Sequence, residues 1–266
     1  MRRFIFLTTL LAVFGVPGGA SAQLDYPAPV DDATVRLELA KPFLEGSFGD
    51  VGFATSILRA RLLLPVGVNA SLILGTGLTI ATLEGAPSSQ TLASPMVGFV
   101  VGSPEATYGH LTVELPLAQE FGDDDYATGV AILSQYEQLH AFVPDLLTIS
   151  GGVTPQWDLD QGGRVGLRGG ASVLIPTDDS SADTEVLVRY GVFGQFPVQA
   201  IELGVEVSGL ALISESDLSL GERTLIGATL TIGLPGTAAP EIFVHVPLDD
   251  DARSGLNVVL GFRVAL

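Results

Sequence analysis

From residue 33 onward the dominant pattern is a strict alternation of apolar and polar or small side chains, the period of a β-strand with two unlike faces. The clearest case closes the chain. Leu256, Val258, Leu260, Phe262, Val264 and Leu266 fall on one face, and Gly255, Asn257, Gly261, Arg263 and Ala265 on the other. Ile201, Leu203, Val205 and Val207 likewise oppose Glu202, Gly204, Glu206 and Ser208. The pattern predicts twelve strands, at 33–43, 53–65, 70–82, 95–103, 107–117, 147–157, 164–175, 185–197, 199–212, 223–234, 240–247 and 255–266. Pro65, Pro116, Pro176, Pro197, Pro235 and Pro247 fall at or just past strand ends, where a residue unable to donate to a ladder belongs.

The second face is dressed mostly in Gly, Ala, Ser and Thr with scattered charges, and the connections alternate between long acidic loops and short turns. Both features suit an antiparallel up-and-down transmembrane β-barrel, with long loops outside, tight turns inside the periplasm and a wet interior. The expected lumen-lining residues are Arg59, Arg61, His110, Glu114, Arg164, Arg168, Arg189, Glu202, Glu206, Glu241, His245 and Arg263. Segment 118–146 breaks the rhythm. Read as a long external excursion, helical with Ile132, Tyr136, Leu139 and Val143 on one face, it leaves twelve strands; read as a hairpin, it makes fourteen. A soluble β-sandwich alternates in the same way and is the third architecture open at this point.

Composition favours the barrel. Mean hydropathy is +0.46, yet no run after the first 22 residues is long enough for a membrane helix. Barrels resolve that conflict by spreading their hydrophobicity over alternate residues. Residues 1–22 read as a cleavable Sec signal peptide: Arg2 and Arg3, an apolar stretch from Phe4 to Val16, then Ala20-Ser21-Ala22. Residues 23–32 are then a short periplasmic segment and 33–266 the barrel. Without cysteine, no disulfide or thiolate site is possible. Aromatic residues are few for paired membrane girdles, with Phe43, Phe53, Phe121, Tyr126, Trp157 and Phe196 near strand ends as a thin belt.

The octet from Val259 to Leu266 resembles the carboxy-terminal assembly signal of bacterial outer-membrane barrels, matching it at Gly261, Val264 and Leu266. That resemblance implies outer-membrane lipid, lipopolysaccharide and the barrel-assembly machinery as partners. Val165 to Asp179 resembles a segment of the barrels associated with the meta-pathway of phenol degradation, matching it at Pro176, Thr177 and Asp179. It implies uptake of small hydrophobic compounds.

Charge and chemistry exclude more than they select. With 12 basic against 30 acidic residues, nucleic acid is not an expected partner. The acidic runs Asp123-Asp124-Asp125 and Asp249-Asp250-Asp251 lack the spaced acids of a calcium loop, and loosely held divalent cations are the most they imply. Gly151-Gly152 and Gly169-Gly170 are not phosphate loops but places where a sheet bends to close. Ser134 and His140 are the one nucleophile–base pairing imaginable, and nothing in their spacing selects it. The expectation is a non-enzyme without cofactor: a passive channel for small, apolar molecules, or else a structural barrel with a plugged lumen and acidic binding loops.

Overall fold

The computed structural model describes residues 28–44, 52, 54–83, 87–121, 126–134, 140–160, 162–178, 183–214, 224–234, 238–248 and 255–266. Twelve strands form an antiparallel meander that closes on itself: β1 (Thr34–Leu44), β2 (Ser56–Gly67), β3 (Ala70–Ala81), β5 (Met96–Gly102), β6 (Thr107–Glu114), β8 (Leu146–Asp158), β9 (Arg164–Pro176), β10 (Glu185–Val198), β11 (Ile201–Leu212), β12 (Thr224–Gly233), β13 (Ala238–Pro247) and β14 (Gly255–Ala265). Closure is made by β1 against β14, paired from Thr34↔Ala265 to Leu44↔Gly255. A closed barrel leaves no edge strand, so the fold satisfies its backbone without disulfides.

Two short strands, β4 (Ser89–Leu92) and β7 (Gln119–Phe121), are additional to the barrel. The first pairs with the outer end of β3 and the second with the first. A single described helix, α1 (Tyr126–Ser134), follows, and His140–Phe142 form a 3₁₀ turn before β8.

The barrel is apolar outside and polar inside. Exposed large side chains include Leu37, Leu39, Leu58, Phe99, Val153, Leu167, Val192, Val205, Leu230 and Leu260, whereas the buried set includes Arg36, Glu38, Arg168, Glu206, Glu241 and His245. A water-soluble sheet would place these the other way round, and an outer surface of this kind belongs in lipid. Trp157 and Phe196, near the short-turn ends of β8 and β10, and Phe43 at the far end of β1 are half exposed, as belt residues should be. Tyr126 is not one of them: it packs with Ala127, Val130 and Ala81. Phe53 lies outside the described residues, as do the signal-peptide segment, both Asp triplets, Pro235 and Asp179.

The excursion is helical over Tyr126–Ser134 but turns into the barrel instead of staying external. Ala131, Ala141 and Phe142 pack in one cluster with the inward residues Ala40, Ile57, Phe243 and Val259. Its buried residues are Ala127, Val130, Ala131 and Ser134, small enough to enter a barrel interior, while Ile132 and Val143 are half-buried. Tyr136 and Leu139 are outside the described residues.

Candidate functional site

The interior is built in three tiers. At the end carrying the short turns, the start of β1 and the end of β14, a cavity of about 390 Å³ is lined by Leu63, Tyr108, Gln156, Gln195, Arg36 and Arg263, among others, and by the segment Ala28–Val30. That segment enters the barrel mouth. Ala28 packs against Ile73, Val100 and Tyr108, and the Val30 amide donates to Ser71 Oγ at 3.0 Å. Arg164 and Glu202 stand at the rim of the cavity. Arg164 Nε meets Asp158 Oδ1 at 2.8 Å, and its Nη1 donates to the Pro104 carbonyl, which also accepts from Gln156 Nε2.

Above the cavity lies a belt of ion pairs, each member placed by strand parity. On one wall, Arg36 Nε stands 2.9 Å from Glu38 Oε1 and Nη2 donates to Glu241 Oε2 at 3.1 Å. Arg59 approaches Glu38 at 3.7 Å and Arg263 approaches Glu241 at 3.8 Å. Arg61 is buried on β2 as the register partner of Arg36. On the far wall Arg168 holds Glu206 through both oxygens, at 2.9 and 3.2 Å. That pair spans β9 to β11 across the intervening β10, where Gly191 is the partner of Arg168. A Cβ at Gly191 would stand 3.3 Å from Glu206 Oε1, so the missing side chain makes room for the bridge. Charges taken out of water must be paired in this way, and the bidentate fork is the strongest form of such pairing.

The third tier is the inserted segment 126–142. Buried His140 lies between strands that are not neighbours: its Nε2 is 3.3 Å from Glu114 Oε1 on β6, and Arg189 Nη2 on β10 is 3.3 Å from the same ring nitrogen. Asn257 Nδ2 on β14 donates to the Ser134 carbonyl at 2.8 Å. Ser134 Oγ is spent within the helix, donating to the Val130 carbonyl at 2.6 Å. The imagined Ser134–His140 couple is therefore not what either side chain does.

Of the twelve residues expected to line the lumen, Arg59, Arg61, His110, Glu114, Arg168, Arg189, Glu206, Glu241 and His245 are buried, and Arg164, Glu202 and Arg263 are half-buried. His245 Nδ1 lies 2.9 Å from Thr229 Oγ1. Arg36, Glu38 and His140 belong to the same constellation but were not among the twelve. The first two were readable, since they alternate with Val35, Leu37 and Leu39 on β1; His140 was not, because its segment has no strand parity. Gly261 pairs with Glu38 and Glu241, Val264 with Val35, and Leu266 is largely exposed beyond the last pair. Among the described residues no group of three or more acidic or histidine side chains could hold a metal ion.

No protein-family model and no curated protein sequence matches the chain. Solved structures do. The chain is similar to the COG4313 outer membrane channel from Pseudomonas putida F1, with a TM-score of 0.63 at 12% identity, over 93% of this chain and all of that one. It is also similar to LpxR from Salmonella typhimurium (TM-score 0.53, 10% identity) and to the NanC porin (0.51, 9%), each over 88% of this chain and the whole of the other. Identities this low show a shared fold, that of the outer-membrane β-barrel.

Proposed function

We propose that the chain is an outer-membrane barrel acting as a passive channel for small molecules, apolar ones among them. The observation that carries this reading is the tiered interior: a cavity of about 390 Å³ at one end, bordered by Arg36 and Arg263 of the charged belt, and an inserted segment packed inside the barrel toward the other. A barrel built only as a scaffold fills its interior with the side chains of its own staves. Here part of that filling is a separate segment. The likeness to an outer membrane channel supports the reading at the level of fold, and the Pro176-Thr177 segment supports apolar solutes by resemblance. The apolar exterior supports an outer-membrane location; in this reading lipid and lipopolysaccharide would surround the barrel, and its acidic loops would hold divalent cations loosely. Gly261, Val264 and Leu266 are the residues the assembly machinery would read.

A second reading, a structural barrel whose lumen stays plugged, is favoured by the close packing of Phe142 with Ile57 and Phe243. One experiment separates the two. Purified protein in planar bilayers is compared with a variant in which residues 119–142 are replaced by a short Gly-Ser linker. Channel activity in the intact protein supports the first reading. Silence in the intact protein with no entry of small uncharged solutes in liposome swelling, together with large steady currents in the variant, establishes the second reading, and failure of both measurements in both proteins ends the channel idea.

A further inference from the structure

On one inner wall the arginines stand in a row. Arg36 on β1 has Arg61 of β2 as its register partner on one side and Arg263 of β14 on the other. Three guanidinium side chains thus lie directly opposite one another on consecutive strands, an arrangement that costs stability unless anions offset it. The offsetting acids come from the next row toward the outer end, where Glu38 pairs in register with Arg59 and with Gly261, and Gly261 with Glu241. Glycine in that row makes room for the carboxylates: a Cβ at Gly261 would stand 3.5 Å from Glu241 Oε2 and 2.8 Å from Phe243 Cε2.

The offset is incomplete. Among the described residues five arginines are buried in the barrel against four glutamates. Arg168 is matched by Glu206, and Arg189 by Glu114. Arg36, Arg59 and Arg61 remain, joined by half-buried Arg263, against Glu38, Glu241 and half-buried Glu202. Four guanidinium groups therefore face three carboxylates, an excess of one positive charge inside a chain whose formal net charge is −18.

That excess meets open space. Arg36 and Arg263 share the Glu241 carboxylate, at 3.1 and 3.8 Å, and both line the cavity of about 390 Å³ at the short-turn end, whereas Glu38 and Glu241 do not. The volume lies within the ~300–1,000 Å³ of pockets that take small ligands. The rest of the lining has two characters. Leu63, Val30, Pro104 and Pro197 give an apolar side, and Glu202 with the Arg164–Asp158 pair gives a charged rim. One excess positive charge calls for one negative charge, and the rim carboxylates repel a dianion. The apolar side suits a compact hydrocarbon body on the same molecule.

We infer that this cavity is a binding site for a small organic monoanion, its carboxylate against Arg36 and Arg263 and its apolar body on Leu63 and Val30. Hydrogen bonds between a guanidinium and a carboxylate are among the strongest that side chains make, and more so away from bulk water. An uncharged solute of the same shape lacks that contact. The inference goes beyond the channel reading, since occupancy is a property of the cavity and not of flux.

Purified protein in lipid nanodiscs is titrated with para-fluorobenzoate and, separately, with para-fluorobenzamide, which has the same shape and no charge. Fluorine NMR follows both. Arg263→Gln removes the half-buried cation and Arg263→Lys keeps it. Val30→Trp fills the cavity from the entering segment; lying outside the barrel strands, it serves whether or not Arg263→Gln folds. The gel shift on boiling verifies each fold. Wild-type protein should bind the benzoate saturably and the benzamide no more than empty nanodiscs do. Arg263→Gln should weaken benzoate binding about tenfold, the worth of one charge-assisted hydrogen bond. Arg263→Lys should weaken it by much less, and Val30→Trp should abolish it. Equal binding of the two probes, or no saturable benzoate binding in the folded wild type, overturns the site. So does benzoate binding that a folded Arg263→Gln or Val30→Trp leaves unchanged, because the anion is then held elsewhere or without the arginine. None of these outcomes touches the channel reading, which planar-bilayer currents decide on their own.

Discussion

Single residues set how closely the staves of this barrel approach, and the two members of one glycine pair show it. Gly169 and Gly170 are adjacent on β9, but they face opposite ways. A Cβ at Gly169 would meet nothing within 4 Å, while one at Gly170 would stand 2.7 Å from the Gly151 carbonyl and 3.1 Å from Gly152 Cα, both backbone. Gly170→Ala must therefore push β8 and β9 apart, at a cost of about 1–3 kcal/mol, whereas Gly169→Ala should lie within about 0.5 kcal/mol of wild type. Guanidinium unfolding of the folded protein in detergent measures both. Equal effects would sink the close-approach account. The Arg168–Glu206 bridge makes a second residue-level case. Arg168→Met alone strands a buried carboxylate and should cost about 3–5 kcal/mol. Adding Glu206→Leu should recover most of that loss, because the desolvated charge goes with its partner. A double variant no better than the single one would show that the bridge matters for packing and not for charge.

At the scale of elements, the twelve staves were legible because each carries its own two-faced signal. Val205 and Glu206 alternate out and in whatever surrounds them, and the prolines mark where ladders stop. The sequence was also enough to place Arg168, Arg189 and Glu241 inside, since parity fixes the side of the sheet. Parity is silent once a segment is not a strand. The pattern marks Ile132, Tyr136, Leu139 and Val143 as one helical face, whereas the buried face is Ala127, Val130 and Ala131; small residues pack equally well on a surface or in a lumen, and only the neighbours of Ala131, namely Ile57, Phe243 and Val259, decide it. The strands β4 and β7 were missed for a related reason. Four and three residues are too few to show a period, and Gln119–Phe121 is exposed on every side chain. The insert's hold on the barrel gives a testable consequence. His140→Ala removes the contact that links it to both Glu114 and Arg189. The expected outcome is a several-fold rise in mean conductance with frequent transitions between levels, as the segment leaves and returns. Asn257→Ala should act in the same direction by freeing Ser134. Currents indistinguishable from wild type in both variants would mean that apolar packing around Phe142 alone retains the insert.

For the whole molecule the decisive property is the inversion of inside and outside. The chain carries 30 acidic and 12 basic residues, yet Arg36, Arg59, Arg61, Arg168 and Arg189 are buried within the barrel while Leu, Val and Phe cover its exterior. Substitution on the outer face tests that inversion directly. Val205 and Leu230 are register partners at mid-strand, 52% and 45% exposed, on the side away from Glu206 and Thr229. In water, arginine at either place meets solvent, and stability should change by no more than about 0.5 kcal/mol. In lipid it must carry a guanidinium into hydrocarbon, at about 2–4 kcal/mol near the midplane, with a smaller cost toward the interfaces. Val205→Arg and Leu230→Arg are therefore expected to lower stability in lipid vesicles by that larger amount, and an arginine at Phe196, near the short-turn end, by clearly less. The gradient with depth carries the argument, because a fold defect caused by arginine as such would not follow the distance from the interface. A flat profile across the three positions would remove the membrane reading and return the alternation to a soluble sheet.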